Sequence, residues 1–250
     1  MNALLVRFGT FMFRYRTLVL PVVLLALVFG LRPHFPNGSP AQDRILDAVG
    51  IAVALAGQGL RAAVIGFAYI RRGGVDGKVH ADQLVTGGLF GHCRNPLYVG
   101  NILILIGLLI VFNNPWAYLI GVPFVLLVYV GIVAAEEDFL RPKFGAAYDD
   151  YTRRVNRWVP DFRGLEATLS GMEFDWRRLI IKEYGSAYAW TAFAVILLAR
   201  EALLDAGPAE RRPVLTGLGI VFVLLTLGWG TARYLKKKRL IRPRRDPVKA

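Results

Sequence analysis

The chain has one cysteine and three histidines in 250 residues. A single thiol excludes an internal disulfide, and three imidazoles are too few for the His-rich iron sites of membrane desaturases and hydroxylases, so metal-based oxygen chemistry is ruled out and no metal ligands are expected. No GxGxxG turn follows a strand-like run, no Walker sequence occurs, and no nucleophile elbow presents a serine to His and Asp. Rossmann-type dinucleotide binding, P-loop chemistry and serine hydrolysis therefore lack their signatures. Acidic residues are few, 18 against 31 Lys and Arg, for a formal net charge of +13. That excess requires no nucleic acid, because most of it flanks apolar segments, where anionic lipid headgroups are the natural partner. The densest cluster is the tail "KKKRLIRPRRDPVK".

What is abundant is apolar surface: 55% of residues are hydrophobic and the mean hydropathy is +0.43. Apolar windows fall at about 17–31, 45–70, 98–112, 116–135, 186–204 and 213–234. Most approach the length needed to cross about 30 Å of hydrocarbon as helix. The fold class expected is all-α, a polytopic helical membrane protein of about six transmembrane helices with a cytoplasmic cofactor pocket capped by loops and short helices. The third span is short and is expected to lie tilted or beside a polar cavity. Segments 1–16, 71–97, 136–185 and 235–250 carry 3, 4, 9 and 8 Lys and Arg, whereas the alternate loops carry only Arg32, Arg44, Arg200, Arg211 and Arg212. This asymmetry predicts both termini in the cytoplasm, with the plasma membrane of a bacterium as the expected location.

Residues 32–44 read as a Pro/Gly/Ser-rich external loop, and "NNP" at 113–115 as the turn of a helical hairpin whose second helix begins at Pro115. Residues 71–97 and 136–185 flank that hairpin, emerge on one side and are expected to share a pocket. Residues 136–156 read as helix interrupted near Pro142 and Gly145, with Tyr148 and Tyr151 on one face. Residues 171–185 read as an amphipathic interfacial helix leading into the fifth span.

The polar groups placed against apolar runs are the candidates for chemistry. Arg61, with Gln58 nearby, lies near the middle of the second span, where an unpaired guanidinium is costly and marks a functional site by default. Glu136 and Glu137 follow the apolar run "YVGIVAA", in the same layer as Arg94 of "GHCRNPLYVGN". Gly87-Gly88 suits a close backbone approach. His92 is a rim candidate and Cys93 a small filler.

The run "LVTGGLFGHCRNPLYVGN", a helical hairpin, and then "EEDFLRPKFGAAYDDYTRRVNRWVP" resemble the C-terminal core of the isoprenylcysteine carboxyl methyltransferase and phospholipid methyltransferase superfamily, and "GLRAAVIG" is similar to its preceding helix. The resemblance spans residues 58–164, flanked by an N-terminal part, 1–57, and a C-terminal part, 165–250. It implies a membrane-embedded methyltransferase that uses S-adenosylmethionine and methylates a lipophilic acceptor, a prenylcysteine-type carboxylate or a phospholipid amine. It further implies a cofactor pocket of Gln83, Leu84, Val85, Phe90, Arg94, Asn95, Pro96, Leu97, Tyr98, Glu136 and Glu137. Catalytic roles are expected for Arg154, Glu137 and Arg61. The sequence departs from the pattern in three places: Asn95 stands where carboxyl methyltransferases have histidine, Phe90 where tyrosine is common, and Ile132 where the eukaryotic enzymes have arginine. Two other classes fit some of the residues: an NADPH-dependent membrane enzyme of the sterol reductase kind, and a non-enzymatic lipid- or cofactor-binding membrane protein. The glutamate pair favours the methyl donor.

Overall fold

A computed structural model describes residues 2–33, 40–67, 79–81, 83–205 and 207–242. The helices are α1 (Ala3–Gly30), α2 (Pro40–Phe67), α3 (Pro96–Phe112), α4 (Pro115–Phe144), α5 (Ala146–Arg154), α6 (Leu165–Ser170), α7 (Trp176–Asp205) and α8 (Pro208–Lys237), with a 3-10 turn at Gly88–Gly91 before α3. Five of them, α1, α2, α4, α7 and α8, are long and apolar enough to cross a membrane. The sixth expected span is α3, whose 17 residues reach only roughly 25 Å at 1.5 Å per residue. It compensates by burial: Gly100, Ile104, Gly107, Leu108, Leu109, Val111 and Phe112 all lie inside the bundle.

The hairpin turn forms as its residues dictate. Asn113 adopts the left-handed conformation, φ 43° and ψ 64°, which its short polar side chain tolerates. The Asn114 side chain then accepts from the backbone N–H groups of Trp116 and Ala117 at 2.8 and 3.1 Å, and Pro115 supplies a first helical residue that needs no donor.

Helix pairing rests on missing side chains. A Cβ on Gly57 would lie 2.5 Å from the Gly100 carbonyl oxygen, and one on Gly50 would lie 2.6 Å from that of Gly107, so α2 and α3 meet backbone to backbone along two heptad-spaced glycine pairs. Gly9 of α1 meets Gly131 of α4 more closely still. Such approaches replace, within lipid, the hydrophobic drive that water gives a soluble bundle. Two apolar clusters fill the interior. One joins Leu24, Ala54, Ile104, Phe112 and Trp190; the other joins Met12, Phe13, Val125, Tyr129 and Ile132. Helix α8 packs on α7 and keeps its spanning segment exposed, with Ile220, Leu224 and Leu227 pointing away from the bundle.

Some boundaries differ from expectation. Helix α4 runs through Pro142 and ends at Gly145, whose φ of 52° suits a residue without a side chain; α5 resumes at once. The interfacial helix expected at 171–185 is not separate, because residues from Trp176 onward are the first turns of α7. Asp175 fixes that start: its N–H bonds the Gly66 carbonyl at 2.9 Å and its carboxylate accepts from the Arg178 N–H at 3.0 Å. Phe174 packs edge-on against Phe67 at 4.9 Å, so the stretch is stitched to the end of α2. Of the loop expected at 32–44, residues 34–39 lie outside the described residues, and 40–44 already belong to α2.

The glycine contacts give a direct test. Gly57→Leu should force α2 from α3 and lower the thermal unfolding temperature in detergent, overpacking of this kind costing about 1–3 kcal/mol or more. Gly59→Ala, on the same helix with nothing within 4 Å of a new Cβ, should leave stability equal or raise it by up to about 1 kcal/mol.

A candidate active site where α3 begins and α4 ends

Two polar loops are fastened together at this end of the bundle. The Arg94 N–H donates to the Asn156 carbonyl at 2.9 Å and the Asp161 N–H donates to the His92 carbonyl at 2.9 Å, so the segment before α3 and the segment after α5 run alongside each other. Side chains secure the same seam. Asn95 Nδ2 donates to the Arg157 carbonyl at 3.1 Å, the Cys93 thiol points to that oxygen at 3.7 Å, and the Tyr151 hydroxyl donates to the Phe90 carbonyl at 2.8 Å. His92 is spent on the seam: Nδ1 lies 2.6 Å from the Asp161 carbonyl, which can only accept, so Nδ1 carries a proton, and Nε2 lies 2.8 Å from the Thr168 hydroxyl. Gly88, at φ 59°, allows the 3-10 turn to pass close beneath Met172.

Inside the seam lies a charged cluster. Glu137, 4% exposed, receives the Arg157 guanidinium as a fork, with Nε to Oε1 at 2.9 Å and Nη2 to Oε2 at 2.6 Å. Arg94 Nη1 adds a contact to Oε1 at 3.5 Å. Two parallel charge-assisted bonds fix the arginine's plane as well as its charge. The Arg94 Nε–H is buried without a hydrogen-bond partner among the described residues, so this guanidinium is only partly satisfied. Tyr148 and Tyr151 wall the cluster, ring centroids 6.4 Å apart. Burial, with a further contribution from the Glu137 charge, pushes the Tyr148 phenol up to about 12, so it stays a neutral hydroxyl in any ordinary buffer.

Next to this cluster Glu136 accepts the Tyr98 hydroxyl at 2.5 Å, and the Tyr98 ring lies 5.5 Å from that of Tyr129. Arg16 of α1 reaches the same neighbourhood, close enough to act electrostatically on Glu136 and Tyr98, while its Nη1 donates to the Phe13 carbonyl. Tyr129 lies near Asn101, and Asn101 accepts from Arg61. Polar contacts thus continue from the loops into the bundle, ending at a buried ion pair. Arg61 donates through Nε and Nη2 to the two oxygens of Glu183 at 2.9 and 2.8 Å. Gln58 supports Glu183 at 3.2 Å and is itself held by Trp190 Nε1 at 2.9 Å.

The structure brings together Arg94, Asn95, Pro96, Tyr98, Glu136 and Glu137, as the motifs implied, with Phe90 joined through its backbone. Leu97 is half-buried in the first turn of α3, Leu84 and Val85 are half-buried before the 3-10 turn, and Gln83 is exposed. Two expected catalytic residues stand elsewhere. Arg154 is an exposed side chain tied to Asp150 one helical turn away at 2.5 Å, and Arg157 holds Glu137 in its place. The chain leaves α5 after Arg154, so only residues beyond that point turn back under the cluster. Arg61 does not reach Glu137: Nε and Nη2 are committed to Glu183 and Nη1 to Asn101. Arg16, Asn101, Tyr129, Arg157 and Glu183 were not singled out from the sequence. Only Asn101 offered a local signal, as a polar residue one turn into an apolar helix.

These features define a class: a helical membrane protein with an arginine, glutamate and tyrosine chamber at one end of its bundle. Residues 47–147 match the phospholipid methyltransferase family, which includes Arg61, the whole Gln83–Tyr98 stretch and the Glu136–Glu137 pair. The resemblance of the motifs, read over 58–164, is thereby borne out over residues 58–147, where the chain is similar to that family. Arg157 and Glu183, which complete the cluster and the buried ion pair, lie beyond the matched stretch. No curated protein and no solved structure matches the chain.

The two arginines can be told apart experimentally. Arg157→Ala leaves the buried Glu137 carboxylate with Arg94 as its remaining guanidinium and should lower stability by roughly 1.5–3 kcal/mol, read as an earlier thermal unfolding in detergent, as loss of a charge-assisted hydrogen bond implies. Arg154→Ala should leave the unfolding temperature nearly unchanged, the usual outcome for an exposed ion pair. A second check concerns Cys93, whose thiol burial pushes up and which is 1% exposed. Its alkylation by iodoacetamide at pH 8 should be slow in the native protein and prompt in denaturant.

Proposed function

We propose that the chain is an S-adenosylmethionine-dependent methyltransferase whose acceptor is lipophilic and reaches the chamber from the bilayer. One observation carries this reading: within the family-matched stretch, the buried Nε–H of Arg94 has no hydrogen-bond partner among the described residues while its neighbours supply carboxylate, hydroxyl and aromatic groups. Those are the groups the cofactor's parts require. Arg94 and Arg157 would hold its carboxylate, Glu136 its ammonium or ribose hydroxyls, and the Tyr98 and Tyr129 rings its cationic sulfonium. When bound, the cofactor supplies a methyl group already activated as a leaving-group conjugate, so positioning and electrostatics suffice for transfer.

The chain's own residues then have separable duties. Glu137, both of whose oxygens are engaged by guanidinium N–H groups, positions Arg94 and Arg157 and has no oxygen in reserve for a proton. Glu136 uses one oxygen on Tyr98 and keeps the other, so it replaces Glu137 as the candidate base. An amine acceptor must lose a proton, and Glu136 would take it; a carboxylate acceptor needs no base. Ile132 is fully buried against α1, so α4 offers no cation at that position for a substrate carboxylate, and Arg16 of α1, which acts electrostatically on Glu136, is a candidate. The lysines and arginines of the loops support a cytoplasmic position for this end, on the side where a soluble cofactor would be met.

The test is incubation of the purified protein with methyl-labelled S-adenosylmethionine and a total membrane extract, followed by mass spectrometry of the lipids. Label should appear in one lipid class, and NADPH should not bind. If the product is a methylated amine, Glu136→Gln should cut turnover by about 10²–10⁴, the range of general-base catalysis, whereas a methyl ester should form with a far smaller loss. Cofactor binding without labelled lipid would point to the non-enzymatic reading, and binding of NADPH instead would replace the methyl donor.

A further inference from the structure

At the opposite end of the bundle from Glu137, three carboxylates converge where α2 begins and α7 ends. Asp43, Asp47 and Glu201 each offer an oxygen within 4.8 Å of those of the other two. Asp43 and Asp47 are one helical turn apart on α2, so their side chains lie on one face. Asp43 is 2% exposed. Its Oδ1 accepts from Asn113 Nδ2 at 2.7 Å, and its other oxygen, Oδ2, is buried with no hydrogen-bond partner among the described residues. Asp47 Oδ1 is buried and without a hydrogen-bond partner among them as well.

Arg200, next to Glu201 in the chain, makes its hydrogen bond and its ring contact away from the three carboxylates. Arg200 donates to the Leu31 carbonyl at 2.7 Å and lies 5.8 Å over the Phe112 ring. Two neighbouring carboxylates with orphaned buried oxygens repel each other unless a proton or a cation lies between them. Oxygen donors alone suit a hard divalent ion, and the spacing is within the span of a calcium coordination shell, whose bonds are about 2.3–2.6 Å.

We propose that Asp43, Asp47 and Glu201 form a binding site for a hard divalent cation, calcium or magnesium, that ties α2 to α7. Its consequence is mechanical. Helix α7 carries Glu183, the partner of Arg61, about 27 Å along the helix at 1.5 Å per residue from Glu201. A cation at the far end fixes the tilt and height at which Glu183 meets α2. The site lies at the other end of the bundle from the chamber around Glu137.

The experiment uses full-length protein in detergent, stripped with EDTA and then titrated separately with calcium chloride and magnesium chloride, with heat of binding and thermal unfolding as readouts. Saturable binding of one ion should raise Tm by about 5 °C or more at a hundredfold excess over Kd, as linkage gives for a chain of this length. Asp47→Asn, which leaves the Asn113 bond to Asp43 untouched, should abolish that rise. In EDTA it should unfold no earlier than the stripped wild type, because a repulsion has been removed. If Asp47→Asn does not fold, Glu201→Gln serves the same comparison. Absence of saturable binding of either ion up to about 10 mM, an order above the weakest range for extracellular calcium modules, would overturn the proposal. So would an equal response in the variants, which would mean that the carboxylates merely share a proton.

Discussion

A carboxylate buried at the end of a transmembrane helix must be neutralised where it lies, and Glu137 meets that requirement by drawing in arginines from two distant parts of the chain. Arg94 precedes α3 and Arg157 follows α5, so satisfying one carboxylate closes two loops over the hairpin. The seam of backbone hydrogen bonds between residues 92–94 and 156–161 is the same closure seen along the main chain. Remove the charge on Glu137 and neither loop has an electrostatic reason to face the other. The chamber exists because an ion pair that would be weak in water is sheltered by Tyr148, Tyr151 and the end of α4.

The bundle below the chamber is organised by a similar need. Arg61 is placed at a depth where lipid cannot solvate it, and α7 answers with Glu183 from outside the family-matched core. Neutral groups then extend the contact: Gln58 and Trp190 behind Glu183, Asn101 and Tyr129 toward the chamber. Glycine pairs make this reach possible, since only where α2 and α3 touch backbone to backbone can Arg61 lie over Gly100 and meet Asn101. The two C-terminal spans thus have unequal parts. Helix α7 completes the polar core, while α8 adds a lipid-facing layer against it.

How much of this was legible beforehand depends on the range of the interaction. The "NNP" turn, the break at Gly145 and the shared face of Tyr148 and Tyr151 are local, set by residues within a few positions of one another, and the structure has them where the sequence implied. The core of the chamber was legible because family spacing brings Arg94, Tyr98 and Glu136–Glu137 into one motif. Arg154 was named from the family resemblance and Arg157 of the same basic run was not singled out, because nothing in the run says where α5 ends. Three residues decide it: a side chain on the last turn of a helix points back along that helix to Asp150, while one past the helix end is free to turn inward. Glu183 was hidden in an apparently interfacial stretch, where a glutamate among lysines and arginines reads as solvated.

The sequence by itself determined the class of the protein: hydropathy sets the long apolar helices, basic residues their flanks, and short-range turn chemistry the hairpin between α3 and α4, because each depends only on neighbours along the chain and on the bilayer. The tertiary structure alone decided which charge meets which. Arg157 with Glu137, Arg61 with Glu183, and Asp43 beside Asp47 and Glu201 are pairings across helices, and in a medium that cannot solvate a lone charge, the partner is chosen by where packing puts it and not by its place in the sequence.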